Sequence, residues 1–438
     1  MSTLEQLRRG ELAGSTRLNL SADLHEFPEE IFALADSLEI LDLSGNRLTS
    51  LPADLPRLRK LRILFCSDNP FSVLPEVLGD CPQLEMIGFK ANRIRHLPAA
   101  ALSPQLRWLI LTDNQLEQLP AELGGCSRLQ KLMLAGNHLQ ELPSSLAGLS
   151  RLELLRIAAN RLKALPGWLA ELPRLSWLAF AGNPFSDTSE AEILRQHPLP
   201  PIPRGSIALG EILGQGASGI IHRADWQQPR RPAQAMAAKL FKGSVTSDGL
   251  PHSEMAACLA AGKHANLIRV AGPLAEQPGA APGLLLELID PAFRVLAGPP
   301  SLASCTRDCY APERRFVFDE IVRIARGVAA AMAHLHGRGI LHGDLYAHNL
   351  LVDELGNCLL GDFGAASFFE AGSTRGRTLQ RIEARAFGCL LEELLERCPP
   401  DDQPARQRQL LHLQEQCMSP RVNERPGFAT LSASLAAL

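Results

Sequence analysis

Seven asparagines recur down the first half of the chain: Asn46, Asn69, Asn92, Asn114, Asn137, Asn160 and Asn183, spaced by 23, 23, 22, 23, 23 and 23 residues. A period this short and regular calls for a stack of like coils, each touching only its neighbours. Around each Asn an apolar frame repeats. In the first copy it is Leu38, Leu41, Leu43 and Leu48, then Leu51-Pro52; in the fifth, Leu129, Leu132, Leu134 and Leu139, then Leu142-Pro143. A short LxL strand points its leucines to one face, and a single coil cannot bury that face alone. The short amide of each Asn can satisfy turn backbone groups inside the stack. Leu18 to Pro28 reads as a shortened first repeat that caps the array.

From Leu18 to Phe185 these residues resemble the leucine-rich-repeat family, in its cytosolic form with a Leu-Pro after each strand. The resemblance implies an α/β solenoid whose use is binding. The strand positions beside the inward leucines form two columns. One reads Glu39, Arg62, Glu85, Arg107, Gln130, Glu153, Ser176; the next reads Ile40, Ile63, Met86, Trp108, Lys131, Leu154, Trp177, with Phe65, Ile110 and Met133 beside it. An exposed apolar column marks a contact site, with Trp108 and Trp177 as anchors for a protein substrate or regulator. Two other readings stay open: neighbouring coils cover the column, or the second half of the chain occupies it.

The repeat stops after Phe185. Ser186 to Gln196 reads as a polar cap, and the proline-rich stretch 198–205 as a semi-rigid spacer. The expected domains are therefore 1–197 for the solenoid, 198–205 for the linker and 206–438 for a second domain.

That second domain opens on a glycine-rich loop, Gly214, Gly216 and Gly219 in GxGxxG. Glycines let a backbone approach phosphates closely. Alone the pattern is weak in a chain with 34 glycines. Context strengthens it. Lys239 follows in an apolar strand-like run, and Glu254 opens a helical stretch; paired, they would set an ammonium over phosphates. Leu284 to Ile289 reads as a buried strand leading to a hinge. His342, Asp344 and Asn349 then form HxDxxxxN, and Asp362, Phe363 and Gly364 follow as DFG.

This order resembles the protein kinase family over Ile207 to Leu438. The likeness extends to EARAFGCLLEELL and to the late Arg425-Pro426. It implies a two-lobed α+β domain using ATP and Mg2+. It implies that the loop from Gly214 through Gly216 to Gly219 covers phosphates, and that Leu286, Glu287 and Ile289 lie along the nucleotide. It implies that Lys239, oriented by Glu254, holds the α- and β-phosphates. Asp344 then accepts the proton of the substrate hydroxyl, and Asn349 and Asp362 hold the metal.

Three departures qualify the likeness. Gly343 replaces the arginine that reads activation-loop phosphate in the family. Tyr346 stands where serine/threonine kinases often place a lysine. No APE motif appears between Gly364 and Glu383, which leaves Arg425 without its family partner; Glu370 and Glu383 are the candidates. The expected function is an ATP-dependent protein kinase, serine/threonine ahead of tyrosine. A pseudokinase scaffold and a small-molecule phosphotransferase are the alternatives. The balance of 44 basic and 47 acidic residues gives no electrostatic case for nucleic acid or an anionic membrane. The start carries no apolar run of a secretory signal, and no stretch is apolar enough to span a bilayer. Ten scattered cysteines without a repeated CxxC fit reduced thiols in the cytoplasm.

Overall fold

The computed structural model describes every residue except Met1, His197, Pro198, Ala217, Ser244, Ser247 and 401–403. His197 and Pro198, where the proline-rich stretch begins, lie outside the described residues. The chain forms two compact units, Met1–Leu172 and Pro173–Leu438.

The first unit opens with helix α1 (Thr3–Arg8), capped reciprocally by Ser2 and Glu5. Seven parallel three-residue strands follow: β1 (Arg17–Asn19), β2 (Ile40–Asp42), β3 (Ile63–Phe65), β4 (Met86–Gly88), β5 (Trp108–Ile110), β6 (Lys131–Met133) and β7 (Leu154–Arg156). They pair in sequence order and in one register, so Leu18, Leu41, Leu64, Ile87, Leu109, Leu132 and Leu155 stack as one buried column. Short 3-10 turns close the far side of the coils. The asparagines work as a ladder between coils. Asn114 accepts the Ile94 N–H at 2.9 Å and donates to the carbonyls of Phe89 at 2.8 Å and Leu111 at 3.1 Å. The same pattern binds Asn69, Asn92, Asn137 and Asn160 to the coil before each.

The second unit begins with an eighth copy of the repeat strand, β8 (Trp177–Ala179), and helix α2 (Pro184–Gln196). A five-stranded antiparallel sheet follows, from β9 (Ile207–Gln215), β10 (Gly219–Trp226), β11 (Gln234–Phe241), β12 (Val270–Pro273) and β13 (Gly283–Glu287), in the order β12-β13-β11-β10-β9. Helix α3 (Pro251–Ala261) lies between β11 and β12 in sequence. The proline-rich stretch is docked rather than suspended. Ile202 donates to Pro273 O at 2.8 Å, accepts from Ala275 at 2.8 Å, and buries its side chain among Ala224, Met236, Ala238, Leu274 and Leu285. Arg204 adds a bond to Ala275 O at 2.8 Å.

The helical part contains β14 (Arg294–Val295), α4 (Phe318–Gly337), β15 (Ile340–Leu341), β16 (Leu350–Val352), β17 (Cys358–Leu360), β18 (Ser367–Phe368), α5 (Thr374–Leu395), α6 (Pro404–Cys417) and α7 (Phe428–Ala436). In α4, Ile321, Ile324, Val328, Met332 and Leu335 are buried at three- and four-residue spacing, the stripe of a core-facing helix. The antiparallel pairs β15–β18 and β16–β17 flank the loop of Asp344 and Asn349. No helix among the described residues is long and apolar enough to cross a membrane. The cysteines are all unpaired.

Candidate active site

Along β11 the side chains alternate. Met236 and Ala238 enter the core around Ile202, which leaves Lys239 on the opposite face, over a cleft of about 200 Å³. The cleft is walled by Gly216, Ser218, Gly219, Lys239, Glu254, Leu286 and Asp362, among others. Glu254 sits in the first turn of α3 and bonds the Lys239 ammonium through a short contact; their side chains are 2% and 13% exposed. Burial works against the lysine charge. The carboxylates of Glu254 and Asp362 outweigh it and hold the Lys239 pKa above the ordinary lysine value.

The three loop glycines have different reasons. A Cβ on Gly219 would fall 2.5 Å from Leu240 O, so that glycine is required by β11 lying against it. Gly214 and Gly216 have open space around the missing side chain, room that a ligand can use. Gly216 and Gly219 line the cleft and Gly214 does not. Of the hinge residues, Leu286 lines it, while Glu287 and Ile289 line an adjoining cavity with Arg269 and Asp290.

Asp344 and Asn349 are joined directly: the Asn349 amide donates to Asp344 Oδ2 at 2.8 Å and to Asp344 O at 2.9 Å. The Gly361 N–H bonds Asn349 O at 3.1 Å, which sets Asn349 beside the chain entering Asp362. Asp362 has φ +52° and accepts the Gly364 N–H at 3.1 Å. His342 is fully buried and its Nε2 meets Gly361 O at 2.9 Å. Glu383 braces the loop from α5. It takes the backbone N–H groups of His342 and Gly343, and His336 Nε2 lies 2.7 Å from its Oε2.

Several site residues carry no sequence signal of their own. Asp308 holds His348 twice, accepting its N–H at 3.0 Å and lying 2.8 Å from its Nδ1. Burial works against a charged His348 ring, but the bond and charge of Asp308 hold its pKa above the ordinary histidine value. Trp177 is 1% exposed. Its indole stacks on Tyr346 with centroids 4.3 Å apart and planes 6° apart, and its Nε1–H donates to Leu345 O at 2.9 Å. The sequence hints of this contact are the unusual loop residues Gly343 and Tyr346 and the place of Trp177 at the end of the apolar column, which residues of the second half of the chain occupy at Trp177.

Two expectations need correction. Trp177 is not an exposed anchor, because Tyr346 and the Leu345 carbonyl already cover it. In the same column Ile63 and Met86 are buried and Trp108 is half-buried, with the Lys131 ammonium 4.4 Å from its ring centre. Arg425 pairs with neither Glu370 nor Glu383. It donates to the carbonyls of Ser419 at 2.8 Å, Pro173 at 2.7 Å, and Leu175 and Arg381 at 3.4 Å. Burial, with Arg385 nearby, pulls its pKa down to about 10.

A glycine-walled cleft with a lysine–glutamate pair, next to an aspartate–asparagine loop, is the framework of a phosphotransferase. Residues 207–385 match the family described as protein tyrosine and serine/threonine kinase, and residues 37–58, 82–139 and 127–185 match leucine-rich repeats. The chain is a leucine-rich-repeat protein of the kinase class: N-terminal repeats followed by a protein tyrosine and serine/threonine kinase domain. The repeats are similar to those of leucine-rich repeat and calponin homology domain-containing protein 1. The mouse protein is 36% identical over 126 residues, 28% of this chain and 18% of that one; the human protein is 35% identical, over 28% and 17%. The chain thus matches less than a fifth of the length of those relatives. A leucine-rich-repeat protein of Leptospira interrogans, LIC12759, is similar in structure at 26% identity and TM-score 0.36, over 40% of this chain and 50% of that one.

Proposed function

We propose that the chain is an ATP- and magnesium-dependent protein kinase that phosphorylates a protein hydroxyl, serine or threonine ahead of tyrosine. The observation that carries this reading is the closed Lys239–Glu254 pair on the wall of the cleft that also holds Asp362. The donor set suits a magnesium nucleotide: a charged lysine on the cleft wall, carboxylate and amide oxygens from Asp362 and Asn349 for a hard cation, and open space at Gly216. Bound, the nucleotide supplies the γ-phosphoryl, and its metal neutralises the charge in transfer. Lys239, kept in place by Glu254, would hold the α- and β-phosphates. Asp344, fixed by Asn349, aligns the acceptor hydroxyl and takes its proton. Leu286 would lie along the base, with Glu287 and Ile289 in the adjoining cavity.

The repeats of the first unit serve as the recruiting surface for substrate or regulator. Trp108 is one of their half-buried aromatics, under the Lys131 ammonium, and the preceding residue Arg107 closes the charge ladder Arg62–Glu85–Arg107. The reading places the protein in the cytoplasm, acting in signalling, with neither nucleic acid nor membrane as partner.

The test is incubation of the full chain with labelled ATP and magnesium, followed by mapping of phosphorylated residues. Transfer falls at least about 10²-fold in Asp344→Asn and in Lys239→Met. Wild-type rates in a folded Asp344→Asn protein would remove Asp344 from its role. Phosphotyrosine alone among the products would overturn the acceptor preference.

A further inference from the structure

The loop that carries Asp344 is built against the last repeat coil. Gly343, just before the aspartate, has φ +76°, and a Cβ there would meet Leu178 O at 2.9 Å. Just after the aspartate, Leu345 O accepts the Trp177 indole N–H and the Tyr346 ring stacks under it. The Phe180 N–H bonds Ser367 Oγ at 2.9 Å on β18, the strand paired with β15 immediately before the loop. The coil is held in its turn. Arg425 binds the carbonyls of Pro173 and Leu175, and Arg385 binds Arg174 O at 3.0 Å and Ser176 Oγ at 2.8 Å. The stretch between Gly364 and α5 is too short to supply such a wall: after β18 only residues 369–373 remain before α5 begins.

We propose that Trp177 is a positioning residue for phosphoryl transfer, fixing Leu345 and Tyr346 and through them the carboxylate of Asp344. The coil takes the place of a mobile segment that would otherwise have to order itself over the loop. A restraining role fits less well. No coil residue lines the cleft, and the Lys239–Glu254 and Asn349–Asp344 bonds are both made with the coil in place.

The inference rests on the proposed kinase activity, so its test has an arm that does not. Trp177→Ala and Trp177→Phe are made in the full chain. Turnover and the KM for magnesium ATP are measured, along with amide hydrogen exchange over residues 342–349. A misplaced reacting group costs on the order of 10²-fold, so Trp177→Ala lowers kcat by about that factor and leaves KM within about threefold. Exchange in the loop rises at least about tenfold. Trp177→Phe keeps a ring on Tyr346 and loses one hydrogen bond, so its kcat falls only about fivefold. If the alanine protein does not fold, the phenylalanine protein decides. Unchanged kcat and unchanged loop exchange overturn the proposal, and so does a rise in turnover, which would make the coil a restraint. If the wild-type chain shows no transfer, the kinase reading fails, and loop exchange alone judges the Trp177 contact.

Discussion

Gly343 and Leu178 approach so closely that only a glycine fits: an added Cβ would lie 2.9 Å from the Leu178 carbonyl oxygen and 2.4 Å from that of Ala365. The left-handed φ adds a second reason. Gly343→Ala is therefore expected to cost about 2–4 kcal/mol of stability, and Gly343→Arg at least as much. Chemical unfolding of the full chain checks this. An unchanged midpoint for Gly343→Arg would show that the coil yields easily at this point.

Activity is expected without phosphate on the segment after the DFG residues. Ser367 is fully buried and accepts the Phe180 N–H, so no transferase can reach it in the folded state. Ser373 caps α5 by accepting the Gly376 N–H at 2.9 Å. Ser373→Asn with Thr374→Ala and Thr378→Ala keeps a cap and removes the remaining hydroxyls. Its kcat on an added substrate is expected to stay within about twofold, whereas Ser373→Ala alone costs about 1 kcal/mol of stability. A tenfold loss in the folded triple variant would point to a phosphate switch.

In the solenoid, Asn114→Ala strands the Ile94 N–H and the Phe89 carbonyl inside the stack, while Leu111 O keeps its bond from Asn137. The expected loss is about 2–4 kcal/mol, well above that of an exposed polar-to-alanine change. Thermal melts of Asn114→Ala and of Glu117→Ala, whose side chain is exposed, make the comparison. Equal melting temperatures would deny the ladder its structural part.

Glu393 should make stability fall with rising pH. Burial, then the nearby Asp308 charge, push its pKa up to about 8 from the ordinary 4.5, with Arg307 and the Tyr310 bond opposing. Between those two values the folded chain holds a proton that the unfolded chain has released. This group's stabilisation is therefore full below about 4.5 and is lost as pH rises through about 8. Glu393→Gln is expected to flatten that slope. Unfolding midpoints measured across this range check it, and parallel curves for the two proteins would place the titration elsewhere.

The solenoid was legible because its signal is a period. Each Asn repeats the position and the bonds of the one before, so seven weak hints reinforce one another. Lys239, Glu254, Asp344, Asn349 and Asp362 were visible as a fixed order of polar residues set in apolar runs. The pairing of Trp177 with Tyr346 had no such handle. The two residues lie in segments with separate patterns, and a stack between distant rings imposes no spacing on either. In the sequence Trp177 shows as the last member of an apolar column, and its partner only as departures, a glycine and a tyrosine at uncommon positions. The partners of Arg425 are hidden from the sequence for a related reason. A buried guanidinium suggests a carboxylate partner, but the Glu383 carboxylate is taken by His336, His342 and Gly343, and backbone carbonyls carry no sequence signature.

The carbonyl cradle of Arg425 bears on how such a chain can be divided. A cut at the proline-rich stretch follows the change in sequence pattern, yet it takes away Pro173 and Leu175. The cut removes two of the four carbonyls that receive a guanidinium only 1% exposed in the intact chain, and with them the coil that covers it. Apolar surface packed beneath that coil is then opened to water, which costs stability. The kinase domain and the final turn of the solenoid therefore travel together. Exchange of the repeats by recombination, natural or engineered, has its workable seam before Pro173, so that new repeats are grafted onto a turn the kinase domain already owns.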